Sequence, residues 1–483
     1  MIRDRGLQHW LPTYIAERGR RSRLRRQRSK QLTHLLFLVC DHFEPRHKAK
    51  TAEQPAERVR NWHAGYQSMQ NACFAEFGLR PLHTWFYPPH HGYEHLPALA
   101  AMAHDGLGEV ELHYHHDGDT EATLRIAMTQ ALSEFHRAGL LQQLGAPPRR
   151  RFGFIHGDWA LDNSSRHGFC GVNSELSLLQ ELGCWGDLTM PSANECQTRK
   201  INAIYYAIDD RDKPKSHDWG ENAEAGRPGR EGFMLIQGPL GINWRGRGYP
   251  RVENASLTRA NWGSADRIAS WVDCHVHVDG RPEWLFIKLH THGAVDADTV
   301  ALFGEKAQTM YRTLASQYND GVRFKVHFIT ARHAYNLSRA AEHGHGGDPL
   351  QYLDFEIPPP VTSRYWMTAR HRLMACTSGE LEIRDIEAVP GASITLRYPG
   401  IAQVLGAMTD LRLDARGSII ECNAAPGTEL LFRLDPGVTP EPGSAAIARP
   451  APGNGWSVVV PAEGRLRLSL AGASAASSSR PAA

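Results

Sequence analysis

Short apolar runs recur along the first two thirds of the chain, each closed by a cluster of polar or turn-forming residues. The first is HLLFLVC, starting at residue 34, and it is continuous rather than alternating, the pattern of a strand buried on both faces. LHTWFYP (82–88), GEVELHY (108–114), FGFIHGD (152–158), WGDLTMPS (185–192), FMLIQGP (233–239), EWLFIKLH (283–290) and FKVHFIT (324–330) repeat it. Between them lie stretches of helical period. Leu124, Met128, Leu132 and Phe135 form an apolar stripe over 121–138 with Asp119 or Thr120 as N-cap, and 174–182 ends at Gly183. Segments 60–76 and 298–317 are further helices, and the Gly- and charge-rich stretch 209–231 reads as a surface insertion.

Strand and helix alternate in this way over 34–348. With seven to eight strands, this predicts an α/β architecture, a parallel (β/α) barrel. Past Pro358-Pro359-Pro360 the helical period disappears. ELEIRDIEAV, ASITLRY, SIIECNA, ELLFRLD, WSVVVPA and RLRLSL, separated by Gly and Pro, predict a small C-terminal β-sandwich over 349–470, followed by a low-complexity tail, 471–483, read as disordered.

Composition adds limits. In 483 residues, 41% hydrophobic and 22% charged content suits a chain that buries large cores. The net charge of +2 gives no field for nucleic acid, but it is unevenly spread. Leu7, Trp10, Leu11, Tyr14 and Ile15 share a helical face, and eight of the thirteen residues from Arg18 to Lys30 are basic. Segment 1–33 is therefore expected to be an amphipathic helix and a basic stretch. It either packs on the body or touches an anionic membrane surface peripherally. No run spans a bilayer and no secretory signal opens the chain, so the expected location is cytoplasmic, peripheral to the inner face of the membrane if the segment binds there. Eight cysteines without a CxxC pair read as reduced.

Chemistry concentrates where the strands end. CDHFEP, YPPHH, HYHHD, IHGDW, GDLT and LHTHG close successive runs, and in a parallel barrel those ends share one face. Eight of the 26 histidines fall between His83 and His116, and histidine clusters hold borderline metals such as zinc. Alternation along the strand sends Glu111, His113 and His115 to one side.

In order and approximate spacing, residues 34–340 resemble the polysaccharide deacetylases, the NodB-homology carbohydrate esterases. Asp41-His42 is similar to that family's first-strand Asp-Asp pair, GEVELHYHHD to its histidine motif and IKLHTHG to its late Leu-x-His. The resemblance implies Asp41 as catalytic base, His290 or His292 as the acid that protonates the leaving amine, and a divalent metal, zinc by its ligand types. Its ligands would come from His42, His113, His115, His116 and Asp117. Asp117 stands where the family has its second motif histidine, unless a one-residue deletion moves His116 there. The family's arginine after the fourth strand is missing; His156 and Asp158 occupy that region. Trp85, Tyr87, His156, Asp158 and Trp159 are expected to bind the carbohydrate. The implied activity is removal of N-acetyl groups from an amino-sugar-containing polysaccharide or glycan precursor, as in exopolysaccharide metabolism. Two alternatives stand beside it. One is a glycoside hydrolase with an acid/base pair drawn from Asp41, Glu44, Asp158 and Asp187; the other is a non-catalytic barrel that binds carbohydrate or scaffolds polysaccharide synthesis.

Overall fold

The computed structural model describes residues 5–28, 30–144, 149–245, 248–360, 365–367, 373–377, 380–384, 393–398, 401–414, 419–434, 438–441, 448–451 and 455–471. Two compact units divide the chain, Met1–Gly347 and Asp348–Ala483. The expected disordered tail lies, from residue 472 on, outside the described residues.

The first unit opens with α1 (Leu7–Ala16) and α2 (Arg18–Arg28), then β1 (Thr33–Phe43), α3 (Gln54–Phe77), β2 (His83–Tyr87), α4 (Leu96–His104), β3 (Gly108–Tyr114) and α5 (Glu121–Arg137). There follow β4 (Gln142–Leu144), β5 (Arg149–His156), α6 (Glu175–Leu182), β6 (Cys184–Asp187), β7 (Ile204–Ala207), β8 (Glu221–Asn222) and β9 (Phe233–Ile236). The last part holds β10 (Gly241–Asn243), β11 (Arg251–Glu253), β12 (Ser256–Leu257), α7 (Ala265–Cys274), β13 (Trp284–Gly293), α8 (Thr299–Leu302), α9 (Glu305–Gln317), β14 (Phe324–Phe328) and α10 (Ala331–Glu342). Every apolar run singled out in the sequence before residue 331 coincides with a strand. Thr120 is the N-cap of α5, and its side chain accepts a hydrogen bond from the Thr123 N–H.

Apart from β10 and β11, which pair with each other, these strands form one curled mixed sheet in the order β12-β13-β1-β2-β3-β5-β6-β9-β7-β8, with β14 beside β1 and β4 beside β5. It is parallel from β12 to β9, and β7 and β8 run antiparallel at the end. The long β1 pairs with β13 along one edge, while β14 and β2 follow one another along the other. The sheet is a half-barrel. Among the described residues no pairing joins its end strands β12 and β8.

Alternation sorts the strands into an outer and an inner face. Leu35, Phe37, Val39 and Phe43 of β1, Val110 and Leu112 of β3, and Leu285, Ile287 and Leu289 of β13 belong to the outer core, packed with Trp62, Tyr66 and Met69 of α3 and Tyr311 of α9. The inner face carries Cys40, His42, Glu109, Glu111, His113, Lys288 and His290, all buried. Helix α10, buried on nearly every side, lies against that face. Arg332 pairs with Glu109 at 2.7 Å, the Thr330 hydroxyl donates to Glu109 at 2.7 Å, and the Tyr206 hydroxyl of β7 donates to Glu342 at 2.8 Å.

The apolar face of α1 is spent on the body. Trp10 is buried against Ala193, Ile201 and Leu240, with Leu7, Leu11 and Tyr14 packed around them; only Ile15 of the predicted face stands well exposed. Arg20 pairs with Asp279, and Arg25 and Arg28 with Asp273. The described part of segment 1–33 packs on the body through Trp10, with Leu7, Leu11 and Tyr14 half-buried beside it. No helix among the described residues is long and apolar enough to cross a membrane.

The second unit contains two six-stranded antiparallel sheets. Inward residues of alternating strands, Leu411, Leu413, Ile420, Leu466 and Leu468 of one and Leu430, Phe432 and Val458 of the other, share a single core.

Candidate metal centre

The C-terminal end of β1 delivers His42 and, two residues on and so on the same side, Glu44. From the end of β3 come His113 and His115. Glu44 Oε1 lies 2.9 Å from His115 Nε2 and 3.6 Å from His113 Nε2, and the two Nε2 atoms are 2.9 Å apart. These three residues form one of the groups able to hold a metal ion.

Their outer partners fix which nitrogens face inward. His113 Nδ1 is 2.9 Å from the Ile155 carbonyl, an acceptor, so it carries the proton and leaves Nε2 with a free electron pair. His115 Nδ1 is 3.0 Å from Asp158 Oδ2, the carboxylate–histidine arrangement that orients metal-binding imidazoles. Gly157 is required beside it, because a Cβ there would run into the His115 ring. Burial opposes charge on His115, but hydrogen bonds to Asp158 and Glu44 outweigh it and raise its pKa to about 9. Glu44 is held well below the usual carboxylate range: burial works against its charge, and the imidazoles of His113 and His115 beside it prevail.

Around this triad the ring of His42 is 4.7 Å from His113, 4.9 Å from His292 and 6.3 Å from His290. Burial, with His113, His292 and His290 close by, pushes the His42 pKa well below its usual value, and its buried Nε2 has no hydrogen-bond partner. Burial likewise lowers His290 and His292. Trp159 closes one side, 5.9 Å from His292 and 6.2 Å from both His42 and His290. His90, 5.2 Å from His115, adds a histidine that the sequence reading did not single out.

Not every candidate arrives here. Asp41 is wholly buried on the outer face of β1, where its carboxylate accepts from the Tyr66 hydroxyl at 2.8 Å and from the Gly293 N–H at 2.5 Å. Burial pushes it up to about 7, against those two bonds. A Cβ at Gly293 would run into this carboxylate. Asp41 is thereby a positioning group for the strand end that carries His292, and the role of base at the histidine group is not available to it in this placement. Trp85 and Tyr87 have the same parity on β2 and sit fully buried in the outer core, Trp85 on Tyr66 and Tyr87 on Phe135, so they offer no surface to a sugar. Asp117 is exposed beyond the strand end. His116 and His156 turn instead toward Glu175. Asp187 is buried, its carboxylate taken by the Thr189 hydroxyl and N–H.

The assignment of Asp41 has a direct check. Asp41→Ala strands two buried donors and is expected to cost roughly 1–3 kcal/mol in urea unfolding. Asp41→Asn keeps an acceptor for Gly293 while the Tyr66 hydroxyl turns to accept from the amide. That variant is expected to retain both fold and metal content; loss of metal in it would return Asp41 to the centre.

The chain matches no known family profile and no curated protein.

Proposed function

We propose that the protein is a metal-dependent hydrolase that removes N-acetyl groups from an amino-sugar-containing polysaccharide or glycan precursor. On this reading the half-barrel is an opened form of the deacetylase barrel, and the second unit is an accessory β-sandwich. One observation carries the proposal: three ligand atoms of Glu44, His113 and His115, two of them imidazole nitrogens with their outer partners already fixed, converge at the ends of parallel strands.

The donor set fits a divalent metal of the zinc class, with three protein ligands and an accessible side. His115 is half-buried, and His42, neutral and with a free Nε2, is the next donor within reach. Such an ion supplies Lewis acidity at an acyl carbonyl and a water acidified toward neutral pH. His292, partly exposed and neutral, is the group that accepts and returns the proton at the leaving amine. Trp159 offers an aromatic wall to a pyranose ring, and Asp158 fixes the His115 ring. Asp41 holds the backbone of Gly293 and with it the direction of His292.

The test is acetate release from N-acetylglucosamine oligomers by protein loaded with zinc, cobalt or manganese. Release that requires metal supports the reading. Saturable binding without release overturns it in favour of the non-catalytic carbohydrate-binding reading, which the burial of Asp41 away from the histidines favours.

A further inference from the structure

Next to the open group lies a second one with a different character. His116 follows β3, His156 ends β5, Cys170 sits in the loop between β5 and α6, and Glu175 begins α6. Their ligand atoms all lie within 4.8 Å of one another. Glu175 Oε1 is 3.0 Å from His116 Nε2 and 3.4 Å from His156 Nε2, and Cys170 Sγ is 3.7 Å from Glu175 Oε2. The edge of a tetrahedron of nitrogen and oxygen ligands around zinc is about 3.3 Å, from bond lengths of about 2.0–2.1 Å.

The hydrogen bonds around the group leave one acceptor facing another. His156 Nδ1 lies 2.5 Å from the Gly157 carbonyl and so carries the proton. Its Nε2, wholly buried and without a hydrogen-bond partner, therefore points an electron pair at a carboxylate oxygen. Asp119 Oδ2 lies 3.2 Å from His116 Nδ1 without making a hydrogen bond to it, so that buried nitrogen has no hydrogen-bond partner. Cys170 Sγ accepts from the Val172 N–H at 3.4 Å and donates to Glu175 Oε2 at 3.7 Å, so the sulfur faces the same carboxylate as the two imidazoles. Glu175 Oε2 is steadied by the Asp162 N–H at 2.6 Å. All four side chains are closed off from solvent, the most exposed, His116, at 2%.

We infer that His116, His156, Cys170 and Glu175 form a closed structural site for a zinc-type divalent cation, separate from the open group. Four protein ligands and no access describe a site that holds structure rather than one that admits substrate. What it holds is the loop 157–174. Asp158, Trp159, Asp162 and Asn163 all adopt positive φ there, a conformation that non-glycine residues keep only when their surroundings enforce it. The site grips this loop at three points: just before it, within it and just after it. The same loop carries Asp158 and Trp159 to the open centre, so the closed site fixes two residues of its neighbour without touching them.

Cobalt substitution separates the two sites, because only the closed one contains sulfur. Wild type loaded with cobalt is expected to take up one ion at each site and to show thiolate-to-cobalt charge-transfer absorption. His113→Ala is expected to lose one ion and keep that absorption; Cys170→Ser is expected to lose the absorption. Wild-type protein that binds cobalt without any sulfur absorption overturns the closed site, and this measurement needs no variant to fold. Absorption that survives Cys170→Ser also overturns it. One cobalt with sulfur ligation and no acetate release would fault the hydrolase reading alone, whereas acetate release with a single, sulfur-free cobalt would fault the closed site alone.

Discussion

Replacing His113 with alanine is expected to weaken metal binding at the open centre by more than 100-fold and to abolish metal-dependent acetate release. The magnitude follows from a comparison within the site. Losing an outer partner that merely orients a ligand costs about 10–100-fold in affinity, and Asp158→Asn, which weakens the support of His115 Nδ1, belongs in that range. On the proposed reading His113 is itself a ligand, and it is the most enclosed of the three, with 1% of its side chain exposed. Its loss leaves only Glu44 and His115 as a two-point clasp. Competition against a chelator, read as residual metal per chain, orders the variants: wild type, then Asp158→Asn, then His113→Ala. Equal retention in wild type and His113→Ala would remove the centre.

The strands of this fold are legible in the sequence because each is a run of buried side chains between polar ends, and a run of that kind is recognisable without knowing its neighbours. The site is harder, because a strand end offers two faces and only one is inside. In CDHFEP the period of two places His42 and Glu44 together and Asp41 opposite, as the structure has it. Similarity to an Asp-Asp motif instead put weight on Asp41 and left Glu44 only among the carboxylates of the glycoside hydrolase alternative. The same parity separates Trp85 and Tyr87 from the inner face. His113 and His115 were legible as a pair by alternation; that His116 belongs to another group was not, because Cys170 and Glu175 lie more than fifty residues away in the chain. Nor does the sequence reveal that the sheet stays open and is filled by α10. The segment ARHAYNLSRAAE carries arginines and a histidine on faces that only their partners on β3 and β7 explain.

That helix sets the second large effect. Arg332→Ala is expected to destabilise the first unit by about 3–5 kcal/mol, the cost of leaving a buried charge without its partner. Glu109 is the charge left behind: it is buried on the inner face of β3, where the Thr330 hydroxyl donates to it and His333 Nε2 lies 3.9 Å away. Burial alone would raise its pKa, but Arg332 and His333 outweigh burial and hold it below the usual carboxylate value. A carboxylate lowered in the folded state contributes stability that is present above its unfolded pKa, about 4.3, and fades as pH falls through the folded pKa. Wild type is therefore expected to lose this contribution in acid, and Arg332→Ala to have little of it to lose, so that urea midpoints for the two converge as pH drops below about 4. Glu109→Gln combined with Arg332→Met removes both charges and is expected to recover much of the loss, because the penalty belongs to the unpaired ion rather than to the missing attraction. A single Arg332→Ala variant within 1 kcal/mol (approximately RT times two) of wild type at neutral pH would mean that α10 is not anchored through β3, and that its hold on the open side of the sheet comes from its contacts with β7.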